Sequence, residues 1–323
     1  MFIRTVDKSK YISACDVKNF PITDWKTDPE AETVELFGKP YLLRKDPWMH
    51  HLHIKCTNIC NARCHFCVEQ NSRCKENPDK VLENVDLMLN ELNKTGLLYS
   101  VSVTGGEPLV WNRFQNLCEI LKRYDIGFLT INTNGIFLKE KLSLIDGLFD
   151  FVDLSRHRIL DADNNKVFCF TQPTIDDLRQ IKSKMQKTKL RIQCVMDHPY
   201  SPEEMNSFTS SCDFADDISY RRLMSLGSEY GVSYPCYEAA YNDILKYAYN
   251  NFSFIEQSLQ DYYVYEVWHD NTNNKNVTFS YSDMKMLRES EGREPENQIR
   301  EFVIHPNGVC AGSWNPSVKV VKD

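Results

Sequence analysis

The chain has 323 residues, 42% of them hydrophobic, with twelve cysteines and a net charge of -7. That length buries a substantial core, the negative balance argues against a general nucleic-acid binder, and no apolar run approaches the length of a membrane span. No charged leader followed by an apolar stretch and a small-residue cleavage site is found, so the expectation is a cytoplasmic protein whose cysteines stay reduced and act as ligands or core residues.

Residues 1–50 mix Trp25, Phe37, Tyr41 and Trp48 with charges and prolines, and are expected to form an N-terminal extension packed on the domain that begins near residue 51. From Leu52 onward, β-like runs alternate with helical ones, the pattern of a parallel sheet with crossover helices. The expected strands cover 51–55, 98–103, 127–132, 151–154, 190–196 and 217–220. Helices are expected at 78–94, with Pro78 near its start, around 113–124, just before Asp146, near 174–187 and at 202–210. Six such units predict an α/β fold, an incomplete (β/α)6 TIM-like barrel over 51–227 with N-terminal and C-terminal additions. Its site would gather at the carboxyl ends of the strands. Residues 228–323 are expected to form a substrate-covering region. It would have a helix near 241–257, a long hairpin from 262–268 and 276–281, and a strand, turn and strand over 300–310.

Two motifs carry chemistry. Cys60, Cys64 and Cys67 lie in the run Cys60-Asn61-Ala62-Arg63-Cys64-His65-Phe66-Cys67, just after the first strand. Thiolates hold iron–sulfur clusters, and a four-iron cubane normally takes four, so three on one loop leave one iron open. Zinc with His65 bent back as fourth ligand, and unligated cysteines, are the alternatives. Cys56 and Cys74 flank the trio, and either could be a fourth ligand. The second motif is Thr104-Gly105-Gly106-Glu107-Pro108 at the end of the next strand. Glycines let backbone carbonyls approach a ligand closely, and Glu107 can accept from an ammonium group. Alone, the glycine pair reads equally well as a turn.

Together the two motifs resemble the radical S-adenosylmethionine (SAM) superfamily over about residues 52–223, with Phe66 at the aromatic position of the Cys-x3-Cys-x-aromatic-Cys loop. The resemblance implies a [4Fe-4S] cluster whose three irons bind Cys60, Cys64 and Cys67. SAM would chelate the fourth, its ammonium held by Thr104, Gly105, Gly106 and Glu107. Thr133-Asn134-Gly135 resembles a turn of the subgroup containing molybdenum-cofactor GTP cyclases and peptide maturases, although a plain glycine turn accounts for it too. By the same resemblance Ser155 would help bind SAM. Arg156 is a carboxylate partner or a solvated arginine, and Gln193 touches the ribose or packs as a satisfied amide. Asp197 and His198 also fall at a strand's carboxyl end. Residues 300–310 resemble the opening of an auxiliary-cluster extension, but no cysteine follows Cys310. Cys212, Cys236 and Cys310 could converge on a second cluster; one cluster is expected.

The implied activity is reductive cleavage of SAM to a 5′-deoxyadenosyl radical that abstracts hydrogen from a substrate, with an electron donor such as flavodoxin or ferredoxin. The protein supplies position and exclusion. A peptide or amino-acid-like substrate is the first reading, a nucleotide or nucleoside the second, and a non-catalytic electron-transfer or redox-sensing protein the third. Cys236, between Pro235 and Tyr237, is the candidate thiol hydrogen donor if the reaction is redox-neutral; otherwise it is a small buried hydrophobe.

Overall fold

The computed structural model describes residues 2–13, 31–44, 52–67, 69, 74–223, 237–260, 262–283, 297–299 and 301–321. In chain order its strands are β1 (Phe2–Thr5), β2 (Ala31–Leu36), β3 (Lys39–Arg44), β4 (Leu52–Lys55), β5 (Ser100–Thr104), β6 (Phe128–Thr133) and β7 (Phe151–Ser155). They continue with β8 (Lys189–Met196), β9 (Asp217–Arg222), β10 (Ser253–Gln260), β11 (Tyr263–Asp270), β12 (Lys275–Ser282), β13 (Phe302–Ile304) and β14 (Cys310–Ala311). The α-helices are α1 (Pro78–Lys94), α2 (Phe114–Leu121), α3 (Leu138–Ile145), α4 (Asp161–Phe168), α5 (Ile175–Lys182), α6 (Pro202–Ser211) and α7 (Glu238–Asn251).

The six expected strands are β4 to β9, paired in parallel and in sequence order. The sheet does not stop there. β13 pairs in parallel with β4, and β12 in parallel with β9, so eight neighbouring strands run the same way. Antiparallel β11, β10 and β1 continue beyond β12, and β14 beyond β13, giving one 12-stranded sheet. β2 and β3 form a separate hairpin. The expected hairpin is β11 and β12, and the expected strand, turn and strand is β13 and β14, with Gly308 at φ +86° in the turn. The helix expected over 241–257 is corrected. It ends at Asn251, and 253–260 becomes β10, because pairing with β11 takes its backbone groups.

Local chemistry sets the helix starts. Asn77 caps α1 through the Lys80 N–H with Pro78 in the first turn, Thr174 and Asp177 form a reciprocal capping box on α5, and Ser201 caps α6 ahead of Pro202. Val81, Val85, Met88, Leu89 and Leu92 line one stripe of α1. They share a core with the outward residues of the strands, Val101, Val103, Leu129, Ile131, Val152, Leu154, Leu190 and Ile192. Each such side chain contributes about 1.5–3 kcal/mol on burial. The alternate strand positions are largely polar: in register Ser102 stands beside Thr130, Asn132 beside Asp153, Asp153 beside Arg191 and Gln193 beside Ser219. Period-2 alternation thus gives the sheet a polar face opposite the helices.

Candidate functional site

The cysteine loop and the Gly-Gly-Glu strand end are dovetailed through backbone. Cys56 N–H donates to Thr104 O at 3.0 Å, Gly106 N–H to Thr57 O at 2.7 Å and Glu107 N–H to Ile59 O at 2.8 Å. Neither glycine has room for a side chain. A Cβ on Gly105, itself at φ +133°, would meet Thr57 O at 2.6 Å, and one on Gly106 would meet Ile59 O at 2.3 Å. The atoms approaching these glycines are therefore the chain's own carbonyls, one of them immediately before Cys60.

Cys60, Cys64 and Cys67 are half-buried, and Cys60, Cys64 and Phe66 pack against a small apolar cluster of Ala62, Val167 and Phe168. Arg63 N–H donates to Phe168 O at 2.8 Å, so the loop rests on the end of α4, a helix that sequence reading missed. Phe66 meets the edge of His157, which stacks on Phe168. Burial pushes the Cys60 thiol up and the Cys64 thiol to about 12, and the neighbouring thiols of the trio raise both further. Neighbouring thiols such as Cys60 and Cys64 that resist ionising are suited to a cationic partner. Cys169, exposed at the C-cap of α4, also acts on Cys64 electrostatically and carried no sequence signal.

Glu107 is 2% exposed. Its Oε1 accepts from Thr133 Oγ1 at 2.6 Å and Leu109 N–H at 3.0 Å, and its Oε2 accepts from Asn134 N–H at 2.7 Å. Burial raises the carboxyl to about 7 against these three hydrogen bonds. The Thr133-Asn134-Gly135 turn, with Gly135 at φ +83°, thereby grips the carboxylate expected at the SAM ammonium. Asn134 Nδ2 donates onward to Asn61 Oδ1 at 2.7 Å, inside the cysteine loop. Beyond the motifs themselves, the sequence carries no signal for this link.

Ser155 ends β7 opposite Gln193 in register, and the Gln193 side chain hydrogen-bonds Asp153. The Arg156 guanidinium, in a residue 1% exposed, donates to Ile159 O at 2.8 Å, Asp161 Oδ1 at 2.7 Å and Pro173 O at 3.4 Å. It braces the segment between β7 and α5 and is not the solvated arginine of the alternative reading. Cys56 is buried, its thiol donating to Thr104 O. Cys74 borders a 280 Å³ cavity with Cys60, Arg63 and Glu76. Cys212 and Cys310 are buried in the apolar core, and Cys236 lies outside the described residues. Asp197, at the end of β8, pairs with Arg158 at 2.5 Å and reaches His198 at 3.4 Å and the loop's His65 at 3.6 Å.

Residues 54–159 match the Radical SAM superfamily profile. Over this segment, which carries both motifs, the chain is similar to the radical SAM superfamily. It is 32% identical over 194 residues to the GTP 3',8-cyclase of Alkaliphilus oremlandii, covering 55% of this chain and 58% of that protein. It is 27% identical over 188 residues to molybdenum cofactor biosynthesis protein 1 of Dictyostelium discoideum, covering 55% of this chain and 28% of the relative. The chain thus spans little more than half the first relative and about a quarter of the second. Streptococcus suis SuiB bound to S-adenosylmethionine shares the fold, with TM-score 0.60 and 17% identity over 81% of this chain and 60% of that one. The superfamily matched by residues 54–159 implies a [4Fe-4S] cluster and SAM. The residues fit both, with three mutually coupled thiols on one loop and a carboxylate-bearing strand end locked against it. Among the described residues no helix is long and apolar enough to cross a membrane.

Proposed function

We propose that this radical SAM protein cleaves SAM reductively and abstracts hydrogen from a peptide or amino-acid-like substrate. The observation that carries the reading is the dovetail of the Cys60–Cys67 loop with the Gly-Gly-Glu strand end at the carboxyl side of parallel strands. Cys60, Cys64 and Cys67 would hold the cluster, which supplies the electron that breaks the SAM carbon–sulfur bond. Thr104 to Glu107 would lie along the methionyl group, with Phe66, Ser155 and Gln193 toward the rest of SAM. The polar face of the sheet, with Arg191 held by Asp153 and Asp217, would orient the substrate. A flavodoxin-like or ferredoxin-like donor would deliver the electron. Support for a peptide comes from the shared fold of SuiB, whose structure with precursor peptide SuiA aligns over 84% of this chain. A nucleotide is the second reading, favoured by the 32% identity to a GTP 3',8-cyclase.

The test is anaerobic reconstitution followed by reduction with SAM. The wild-type chain should hold about one [4Fe-4S] unit and release 5′-deoxyadenosine and methionine, and the triple variant C60A/C64A/C67A should do neither. Peptides and GTP are then compared by their effect on deoxyadenosine release. Iron retained in the triple variant would overturn the site, and a cluster without SAM cleavage would favour a redox carrier.

A further inference from the structure

Asn134 fixes the orientation of its own amide. Its Oδ1 accepts the Ile136 N–H at 3.2 Å, so its Nδ2 faces Asn61 and donates to Oδ1 at 2.7 Å. Asn61 must therefore present oxygen to the turn, because the reversed amide would set two NH2 groups against each other. What remains is Asn61 Nδ2, buried and without a hydrogen-bond partner among the described residues. A buried amide donor left unpaired carries its full desolvation cost, so a native structure that keeps one has a reason. Asn61 occupies the first position between Cys60 and Cys64, and its Oδ1 lies 4.0 Å from Cys60 Sγ. That sulfur already accepts the Ala62 N–H at 3.4 Å.

We propose that Asn61 Nδ2 donates a hydrogen bond to sulfur of the cluster, a sulfide or the Cys60 thiolate, and that Glu107 and Asn134 set its aim. The proposal rests on the cluster reading above. Hydrogen bonds to cluster sulfur favour the more negative, reduced state and so raise the reduction potential. The path from Glu107 through Asn134 N–H and the two amides then ties the residue expected at the SAM ammonium to the electronics of the cluster.

The experiment is a spectroelectrochemical titration of the reconstituted cluster without SAM, in the wild-type chain and in Asn61→Ala. Loss of one charge-assisted hydrogen bond should lower the reduced-to-oxidised ratio at the wild-type midpoint about tenfold, a shift of about 59 mV toward negative potential for a one-electron couple. An unmoved potential overturns the proposal. An unmoved potential with SAM binding weakened about tenfold also overturns it and assigns the donor to the SAM carboxylate. If Asn61→Ala takes up no cluster, Asn61→Ser decides, since it removes the amide donor without adding a charge that would itself move the potential. A wild-type potential there overturns the proposal, and a negative shift supports it. A wild-type chain that assembles no [4Fe-4S] cluster brings down the parent reading as well, which separates the two failures.

Discussion

Glu107 Oε2 accepts the backbone N–H of Asn134 at 2.7 Å, so one buried carboxylate joins the end of β5 to the turn after β6. With Thr133 and Leu109 also donating to it, its geometry is set before any ligand arrives. The residue that the superfamily pattern points to as an ammonium partner is here also a fastener within the sheet.

Burial raises the Glu107 carboxyl from 4.5 to about 7. A carboxyl raised on folding stabilises the fold fully below its unfolded pKa, and that contribution is lost as pH rises through the folded value. Glu107→Gln mimics the protonated form. Between pH 4.5 and about 8, the stability difference between variant and wild type in the cofactor-free chain should move toward the variant by about 3 kcal/mol. Urea melts across that range measure it, and a pH-independent difference would sink the argument.

Gly106→Ala places a methyl group where Ile59 O lies 2.3 Å away, with no flexible side chain to yield. Strand end and loop must separate. The expected outcome is a loss of stability of about 2 kcal/mol or more and iron uptake well below wild type, with far-ultraviolet circular dichroism retained at low temperature. Wild-type iron content in this variant would show that the dovetail does not position the loop.

Asp197 sits deep at the end of β8. Burial would raise its carboxyl, but hydrogen bonds from His198 and Arg158 and the Arg158 charge hold it well below the usual range. A depressed carboxyl contributes stability above its unfolded pKa that is lost as pH falls through the folded value. Asp197→Asn should therefore cost about 3 kcal/mol at pH 7, with the deficit shrinking below about pH 4. A deficit that persists unchanged in acid would point to packing instead.

Arg156→Ala removes a fork that serves Ile159 O, Asp161 and Pro173 O. Thermal stability should fall by about 3 kcal/mol. Arg156→Lys should recover less than half, since an ammonium cannot reproduce the fork. Equilibrium binding of SAM to the folded, reconstituted variants should match wild type. Weakened binding in a fully folded Arg156→Lys would restore the role of SAM-carboxylate partner.

What sequence made legible was local. β4 to β9 follow from apolar alternation, α1, α5 and α6 from their caps, and the two motifs from cysteine and glycine spacing. β12 and β13 were legible as strands, but their parallel pairing into the sheet was not, because their partners lie 59 and 250 residues away in register, as Asn276 with Asp217 and Phe302 with Leu52 show. α4 was missed for a different reason: its run Asp161-Ala162-Asp163-Asn164-Asn165 has almost no apolar stripe, and the helix is held by Val167 and Phe168 under the cysteine loop. Within the site, Thr104 to Glu107 could be named from a pattern, but two of the three partners of Glu107, Thr133 and Asn134, are 26 and 27 residues away. Asn61 could not be singled out at all, since its significance lies in which of its two amide atoms is left over.

Ile59 O, which receives the Glu107 N–H, belongs to the peptide bond that leads into Cys60. Fixing the backbone of one residue costs about 1–2 kcal/mol of conformational entropy. For the start of the cysteine loop, that ordering is completed when β5 docks on β4, as part of folding itself. A metal arriving later meets its first thiol on a backbone already immobilised, so the chelate entropy still to be lost falls on the part of the loop beyond it.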